Sequence, residues 1–206
     1  RRYDVIHADA TKDKRGIEWE IGYMDEYCGK SANPPTLVVV HGKGAFGAHY
    51  GYLIKYAVER GYRVIAPDMP QWGTSGPGNL DKPMTRTLDD VRDAFHALIV
   101  GKLGVKKAYY HGHSLGGHNA VYTAVFDDRI KTVVSSCGLD SYLDYKDARP
   151  ELWVHGQGWC QDRYMAKLAD YKGRLADIPF DFHELVGALA PRPVFISAPL
   201  RDSNFK

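Results

Sequence analysis

A serine with glycine two residues before it and two residues after it is the clearest chemical feature of this sequence. Residues 112–116 read Gly-His-Ser-Leu-Gly, and Ser114 lies between an apolar run and a stretch with helical spacing. A sharp turn from strand to helix strains its central residue, and flanking glycines remove clashes with bulky neighbours. The hydroxyl then projects from the N-terminus of a helix, where N–H groups favour a developing negative charge. We therefore predict that Ser114 is a nucleophile that forms an acyl-enzyme.

The elements that must position Ser114 alternate between short apolar runs and stretches with helical spacing. Continuous apolar runs are typical of strands covered on both faces, and their alternation with helices predicts a doubly wound, mostly parallel α/β sheet. A separate stretch, 16–24, alternates apolar and polar residues, which predicts an antiparallel edge strand. The predicted strands are 37–40, 64–66, 108–110, 132–134 and 194–196, and the predicted helices are 50–60, 88–103, 115–126 and 182–190.

One segment, 139–180, breaks this alternation because it is aromatic, charged and irregular. It is far longer than the usual connection of about 2–6 residues between elements. Long excursions of this kind are often a lid or a wall over a site, and the alternative is a surface decoration that packs its own aromatic side chains. We expect a single domain over 1–206 that carries this excursion.

Four motifs, taken in order, resemble the α/β-hydrolase superfamily over nearly the whole chain. They are His-Gly at 41–42, Asp68 with Gly-Thr-Ser at 73–75, the serine turn at 112–117, and Leu-Arg-Asp at 200–202. The later half is most similar to dienelactone-hydrolase and prolyl-oligopeptidase-like esterases, and the earlier half to hydrolases with an Asp-x-Pro-x-x-Gly-x-Ser pattern. The resemblance implies an α/β-hydrolase fold. Dehalogenases and epoxide hydrolases of this architecture carry aspartate at the nucleophile corner, so a serine there implies acyl transfer.

The resemblance also assigns the groups around Ser114. The residue after the nucleophile and the loop after the 37–40 strand supply the two oxyanion N–H groups, which implies Leu115 and Lys43, with Gly44 as the neighbouring alternative to Lys43. Asp202 follows the 194–196 strand, where the family places its acid, although a turn-capping aspartate is the alternative there.

A serine nucleophile of this kind works with a base and an acid in a catalytic triad, and the sequence offers more than one acid. Asp140, after the preceding strand, is the rival acid to Asp202. Chain order in this fold is serine, acid, histidine, and no histidine follows Asp202 before Lys206. The nine histidines of the chain offer no good substitute. We therefore expect that the last strand, the histidine loop and a final helix are absent from this chain.

Composition argues against several other function classes. A net charge of +2 with scattered basic residues gives no reason to expect a nucleic-acid partner. No apolar run approaches the roughly 20 residues that span a bilayer, so we expect no membrane partner. The cysteines, Cys28, Cys137 and Cys160, are far apart, which argues against a zinc site and favours free thiols in a reducing compartment such as the cytoplasm.

These residues together predict hydrolysis of a small-molecule carboxylic ester, without a cofactor or metal. One alternative is a non-catalytic ligand-binding member or an inactive fragment of the same fold. Another is a peptidase or an acyltransferase, which would use the same serine and differ only in what reaches the acyl-enzyme. The aromatic residues of 139–180 suggest an apolar or aromatic acyl or alcohol group in the substrate.

Overall fold

The sheet of this protein has seven strands, of which five are parallel. The computed structural model describes residues 6–70, 72–75, 88–162 and 164–205, with side chains from residue 11 onward. The strands, in chain order, are β1 (Ile6–Lys12), β2 (Glu18–Glu26), β3 (Thr36–Val40), β4 (Arg63–Pro67), β5 (Ala108–His113), β6 (Ile130–Ser136) and β7 (Val194–Ser197). They lie side by side in the order β1-β2-β4-β3-β5-β6-β7. The parallel strands β3 to β7 confirm the mostly parallel sheet.

The edge position predicted for 16–24 is wrong. β2 is antiparallel, as expected, but it lies between β4 and β1, and β1 pairs with it from Ile6 opposite Met24 to Lys12 opposite Glu18. β1 reads Ile-His-Ala-Asp-Ala-Thr-Lys, and a segment with so few β-branched or aromatic residues gives little strand signal. The sequence pattern therefore did not predict β1, and the sheet has one more strand beyond β2 than predicted.

Both faces of the sheet are covered by apolar clusters, because neighbouring side chains of a strand point to opposite faces. In β3, Val38 and Val40 belong to the larger cluster, while Val39 belongs to the smaller one. The smaller cluster contains Ile54 and Val58 from the helix that follows β3. The larger cluster holds the other helices and the aromatic residues of the 139–180 excursion. The arrangement is a sheet with helices on both faces, as predicted.

In the described part of the chain, four α-helices accompany the sheet: α1 (Gly51–Glu59), α2 (Leu88–His96), α3 (Leu115–Phe126) and α4 (Phe182–Gly187). A π-helical segment, Ala97–Lys102, continues α2, so the predicted helix 88–103 is present with a change of pitch. A threonine before an acidic first turn is typical of a helix cap, and Thr87, which precedes Asp89 and Asp90 in this way, lies outside the described residues. α4 ends at Gly187, three residues before the predicted residue 190.

Among the described residues of the excursion, the helical elements are short 3-10 turns: Tyr145–Ala148, Pro150–Leu152, Gly158–Cys160, Ala166–Tyr171 and Leu175–Asp177. Its large aromatic side chains are nonetheless in the core, since Tyr142, Trp153 and Trp159 are each 1% exposed. Trp159 packs on Phe182 of α4, with ring centroids 5.4 Å apart. The segment is therefore fastened to the main body through aromatic packing.

Parallel strands bring their carboxyl ends to one edge of the sheet, which is where ligands bind in open α/β folds. The residues directly after these ends are His41 after β3, Asp68 after β4, Ser114 after β5 and Cys137 after β6. The topology therefore gathers the motif residues at one edge. Within the described ranges, no helix has the length and apolar character that crossing a bilayer requires.

Candidate active site

Ser114 occupies a strained turn between β5 and α3. Its backbone has φ 53 and ψ −120, a conformation that costs about 1–3 kcal/mol for a residue with a Cβ. A Cβ on Gly112 would lie 2.0 Å from the Gly116 carbonyl oxygen, and a Cβ on Gly116 would lie 2.1 Å from the Val40 carbonyl oxygen. The Ser114 N–H donates to the Ser136 carbonyl at 2.7 Å, which ties the turn to the end of β6. The two glycines are therefore required by close backbone packing.

The loop after β3 passes directly beside the serine. A Cβ placed on Gly42 would lie 3.3 Å from the Ser114 Cβ, so this part of the loop is in contact with the turn. The Gly42 N–H is already engaged, because it donates to the Tyr50 hydroxyl at 3.2 Å. The next two N–H groups, those of Lys43 and Gly44, donate to no other described residue. Gly44 has φ +79, which is left-handed backbone that favours glycine.

Leu115 is the first residue of α3. A residue at this position has no carbonyl within its own helix to which its N–H can donate. Its N–H and the loop N–H groups therefore come from the two segments that flank Ser114, as the oxyanion-hole prediction requires.

Two buried side chains hold the loop in place. His41 is fully buried, its Nδ1 lies 2.8 Å from the Gly42 carbonyl, and its Nε2 accepts the Met69 N–H at 2.8 Å. Because Nε2 accepts, the proton of the neutral ring is on Nδ1, and burial lowers the pKa of His41. The Asp68 carboxylate accepts the Gly47 N–H at 2.6 Å and the Thr74 N–H at 2.8 Å. The His-Gly and Asp-to-Ser motifs thus form a single support for the loop.

A general base for Ser114 is not found among the eight histidines whose side chains the structure describes. His113 points its Nδ1 toward the Ser136 hydroxyl at 3.2 Å. His155 pairs with Asp162 at 2.9 Å on the excursion, and His41 is held as described above. None of these histidines hydrogen-bonds to the Ser114 Oγ. The others are His49, His96, His111, His118 and His183, and His7 is the ninth histidine of the chain.

His118 is buried one helical turn after Ser114. Its ring lies among aromatic side chains, with centroids 4.8 Å from Trp159, 4.8 Å from Phe182 and 5.7 Å from Tyr164. Neither ring nitrogen has a hydrogen-bond partner among the described residues, and burial lowers the pKa of His118 to about 3. A neutral ring packed in this way is a structural residue, which agrees with its position behind the nucleophile.

Asp202 lies next to the serine site, in the turn after β7. Its Oδ1 accepts the Asn204 N–H at 2.7 Å and the Phe205 N–H at 3.2 Å. The bond from Asn204 is the main cause that keeps the pKa of Asp202 below its usual value. The predicted turn-capping role is therefore present, and it leaves the carboxylate ionised. Asp140 is buried, at 8% exposed.

A cavity of about 310 Å³ opens above Ser114. The excursion supplies Tyr145, Trp159, Gln161 and Tyr164 to its wall, and the turn after β7 supplies Asn204 and Phe205. Phe205 also lines the small neighbouring cavity that contains Asp202 and Cys137, whereas Asp140 borders neither cavity. The excursion therefore forms one wall of the Ser114 cavity.

Three residues of this site were missed in the sequence. Tyr50 accepts the Gly42 N–H, Gln161 reaches the Lys43 ammonium at 3.2 Å, and Phe205 lines both the Ser114 cavity and the small cavity that contains Asp202. None belongs to a motif, so only the fold could bring them to the serine. Among the described residues, no group of three His, Cys, Asp or Glu side chains could hold a metal ion.

Comparison with a family model gives a match over residues 35–186, and the family is described as the alpha/beta hydrolase fold. Among curated proteins, a 2-hydroxy-6-oxononadienedioate/2-hydroxy-6-oxononatrienedioate hydrolase of Paraburkholderia phymatum is 33% identical over an alignment of 144 residues, and the alignment covers 63% of this chain and 46% of the relative. A hydrolase of the same name from Burkholderia vietnamiensis is 31% identical over 140 residues, with 63% and 46% covered. The match spans less than half the length of these curated relatives.

Solved structures give the same fold. A probable hydrolytic enzyme from Pseudomonas aeruginosa superposes with a TM-score of 0.56 at 27% identity, over 65% of this chain and 41% of the other. Epoxide hydrolase A from Mycobacterium thermoresistibile superposes with a TM-score of 0.53 at 19% identity, over 64% of this chain and 39% of the other. At 19% identity, the second likeness concerns the fold alone.

Proposed function

We propose that this chain, which belongs to the α/β-hydrolase fold family, is a serine hydrolase that cleaves small-molecule carboxylic esters through an acyl-enzyme. The observation that carries the proposal is Ser114 itself, held at φ 53 and open to the cavity of about 310 Å³. A strained serine that packs against two segments with unengaged N–H groups is suited to attack a carbonyl carbon.

The chemistry proposed for Ser114 has two steps. Ser114 Oγ forms a bond to the acyl carbon, the carbonyl oxygen becomes an oxyanion, and the alcohol leaves with the proton that the serine lost. Water then attacks the acyl-enzyme, and the acid leaves as the serine regains its proton. Lys43 N–H and Leu115 N–H are proposed to hold the oxyanion in both steps. Removing one such donor typically costs about 2.7–4 kcal/mol of transition-state stabilisation.

Asp202 is proposed as the acid that orients the base, since its turn adjoins the Ser114 cavity through Phe205. The base is proposed to be a histidine, the residue type that most often takes and returns the proton of a nucleophilic serine.

Imidazole allows a test on this chain, in which no described histidine hydrogen-bonds to the Ser114 Oγ, because a free base in solution can take the proton of the serine. We expect slow hydrolysis of p-nitrophenyl butyrate that rises and saturates as imidazole is added. Ser114→Ala should remove the protein-dependent part of this rise, and Ser31→Ala, an exposed serine in a loop, should keep it. If Ser114→Ala hydrolyses the ester as fast as the parent chain at every imidazole concentration, the proposal is wrong.

Hydrolysis at a ketone carbon is a second candidate. The curated relatives are named hydrolases of oxo-substituted unsaturated dioates, and this chain is 33% identical to one of them. Attack by Ser114 on a ketone carbon would use the same oxyanion donors and would release a carbon leaving group instead of an alcohol. Supplying a vinylogous 1,5-diketone and a matched ester to the same protein preparation separates the two functions by product analysis.

A further inference from the structure

The cavity above Ser114 has one charged side chain among its described lining residues, which is Lys43. No described carboxylate forms an ion pair with its ammonium. The other polar groups of the wall are neutral amides and hydroxyls, and the rest of the wall is aromatic. The described lining of the Ser114 cavity therefore carries one positive charge and no negative charge.

The Lys43 ammonium is held over the cavity by a partner from the excursion. Its Nζ donates to the Gln161 Oε1 at 3.2 Å, and the Gln161 Nε2 donates to the Gly158 carbonyl at 3.0 Å. The amide is thus oriented so that its oxygen, and not its nitrogen, faces the lysine. An ammonium has three donors, and this bond uses one of them. Two N–H groups remain for a ligand in the cavity.

We propose that Lys43 Nζ binds a carboxylate of the substrate, so that the preferred esters are half esters of dicarboxylic acids. This inference rests on the proposed ester hydrolysis at Ser114. An uncompensated ammonium attracts an anionic group and repels a cationic one, and a neutral amide partner leaves that attraction intact. A carboxylate accepts the two remaining N–H groups, whereas a neutral acyl chain of the same length leaves them without a partner in the cavity.

The position of Lys43 limits the length of the substrate. Its backbone N–H is the proposed donor to the reacting carbonyl oxygen, and its four-carbon stem places Nζ about 6 Å from its own Cα. The backbone N–H and the ammonium of Lys43 would then contact the reacting carbonyl and the carboxylate of the same acyl group. A separation of this size fits acyl groups with about three or four methylenes between the carbonyl and the carboxylate. Trp159 and Phe205, whose rings stack 5.3 Å apart, provide apolar wall for the carbons between them.

The test compares mono-p-nitrophenyl glutarate with p-nitrophenyl butyrate, as the ratio of their kcat/KM values. We expect this ratio to exceed one in the parent chain and to fall about fivefold in Lys43→Met, as for an ion pair that is open to solvent. Lys43→Arg should keep most of the preference, and Lys172→Met, an exposed lysine outside the cavity, should keep all of it. Gln161→Glu should lower the ratio as well, because its carboxylate neutralises the ammonium.

The dependence on ionic strength shows whether charge or shape causes the preference for the half ester. The preference for the half ester should decrease as salt is raised from about 0.05 M to about 0.5 M, because an exposed charge pair is screened over this range. A ratio that is the same in Lys43→Met, Lys172→Met and the parent chain would overturn the proposal.

Equilibrium binding of glutarate tests the carboxylate site without relying on the proposed ester hydrolysis. Calorimetry of glutarate and of neutral glutaramide needs no turnover. We expect glutarate to bind more tightly than glutaramide, and its Kd to rise about fivefold in Lys43→Met. If glutarate binding depends on Lys43 but no ester is hydrolysed through Ser114, the proposed function fails and the carboxylate site stands. If Lys43→Met binds glutarate as the parent does, or if glutarate does not bind, the carboxylate site is wrong.

Discussion

The strain at Ser114 should be measurable as a reversal of the normal effect of glycine on stability. Ser114 has φ 53, where a Cβ costs about 1–3 kcal/mol. Glycine lacks that cost but loses more backbone entropy on folding, by about 0.5–1 kcal/mol relative to alanine. We therefore expect Ser114→Gly to be more stable than Ser114→Ala by about 1 kcal/mol, the difference between the midpoints of these two effects.

The assay is urea unfolding followed by tryptophan fluorescence. Ser136, at the end of the neighbouring β6, is the matched position, since it is not among the residues with positive φ. There, Ser136→Gly should be less stable than Ser136→Ala by about 0.5–1 kcal/mol. The opposite signs at the two serines distinguish local strain from a general effect of glycine. A Ser114→Gly variant that is no more stable than Ser114→Ala would refute the strained-turn reasoning.

Three further predictions concern the support of the site. Gly116→Ala should destabilise the fold by about 1–3 kcal/mol or more, because its Cβ would overlap a β3 carbonyl oxygen at 2.1 Å; equal urea midpoints for variant and parent would contradict this. Burial lowers the pKa of His118 to about 3, whereas its pKa in the unfolded chain is near 6.5. The neutral ring therefore contributes fully to the unfolding free energy above pH 6.5, and this contribution is lost as the pH falls toward 3, by up to about 1.4 kcal/mol per pH unit. His118→Phe should therefore flatten the decline in unfolding free energy between these pH values, and an unchanged slope would argue against a buried neutral ring. Tyr50→Phe removes the acceptor of an oxyanion-loop N–H and should slow fluorophosphonate labelling about fivefold, as for the loss of one hydrogen bond, whereas Tyr52→Phe, which is 86% exposed, should label at the parent rate.

The main features of the fold were predictable because they depend on local patterns. The nucleophile turn could be placed because an apolar run, a glycine-flanked serine and a helical stretch follow one another directly, and the helix Leu115–Phe126 has the predicted bounds. Gly61 and Gly104 directly follow two of the predicted helices, where left-handed backbone is common, and they have φ +90 and +65. These features require no knowledge of distant contacts.

What could not be predicted depends on contacts between distant segments. β1 has a weak strand pattern and exists because β2 offers it a partner along seven residue pairs. The contact between Lys43 and Gln161 joins residues 118 positions apart, and neither residue type signals it. The sequence also left open whether the excursion is a lid or a decoration, because its aromatic residues serve both purposes: Trp159 is buried in the core and also lines the Ser114 cavity.

The choice of the catalytic acid also depends on contacts between distant segments. The sequence could not choose between Asp202 and Asp140, since both follow a strand at the same edge of the sheet. Asp202 is favoured because Phe205 lines both the Ser114 cavity and the small cavity that contains Asp202. The position of Phe205 depends on the conformation of the turn after β7, which the sequence does not predict.

The central claim, that Ser114 forms an acyl-enzyme, is tested most directly by trapping that intermediate. The chain is mixed with p-nitrophenyl butyrate, quenched in acid within the first turnover, digested, and analysed by mass spectrometry. The account predicts a butyryl group on the Ser114 side chain of the peptide that contains residues 112–117, and no such adduct in Ser114→Ala. An acyl group found only on other residues, or adducts that persist unchanged in Ser114→Ala, would contradict it.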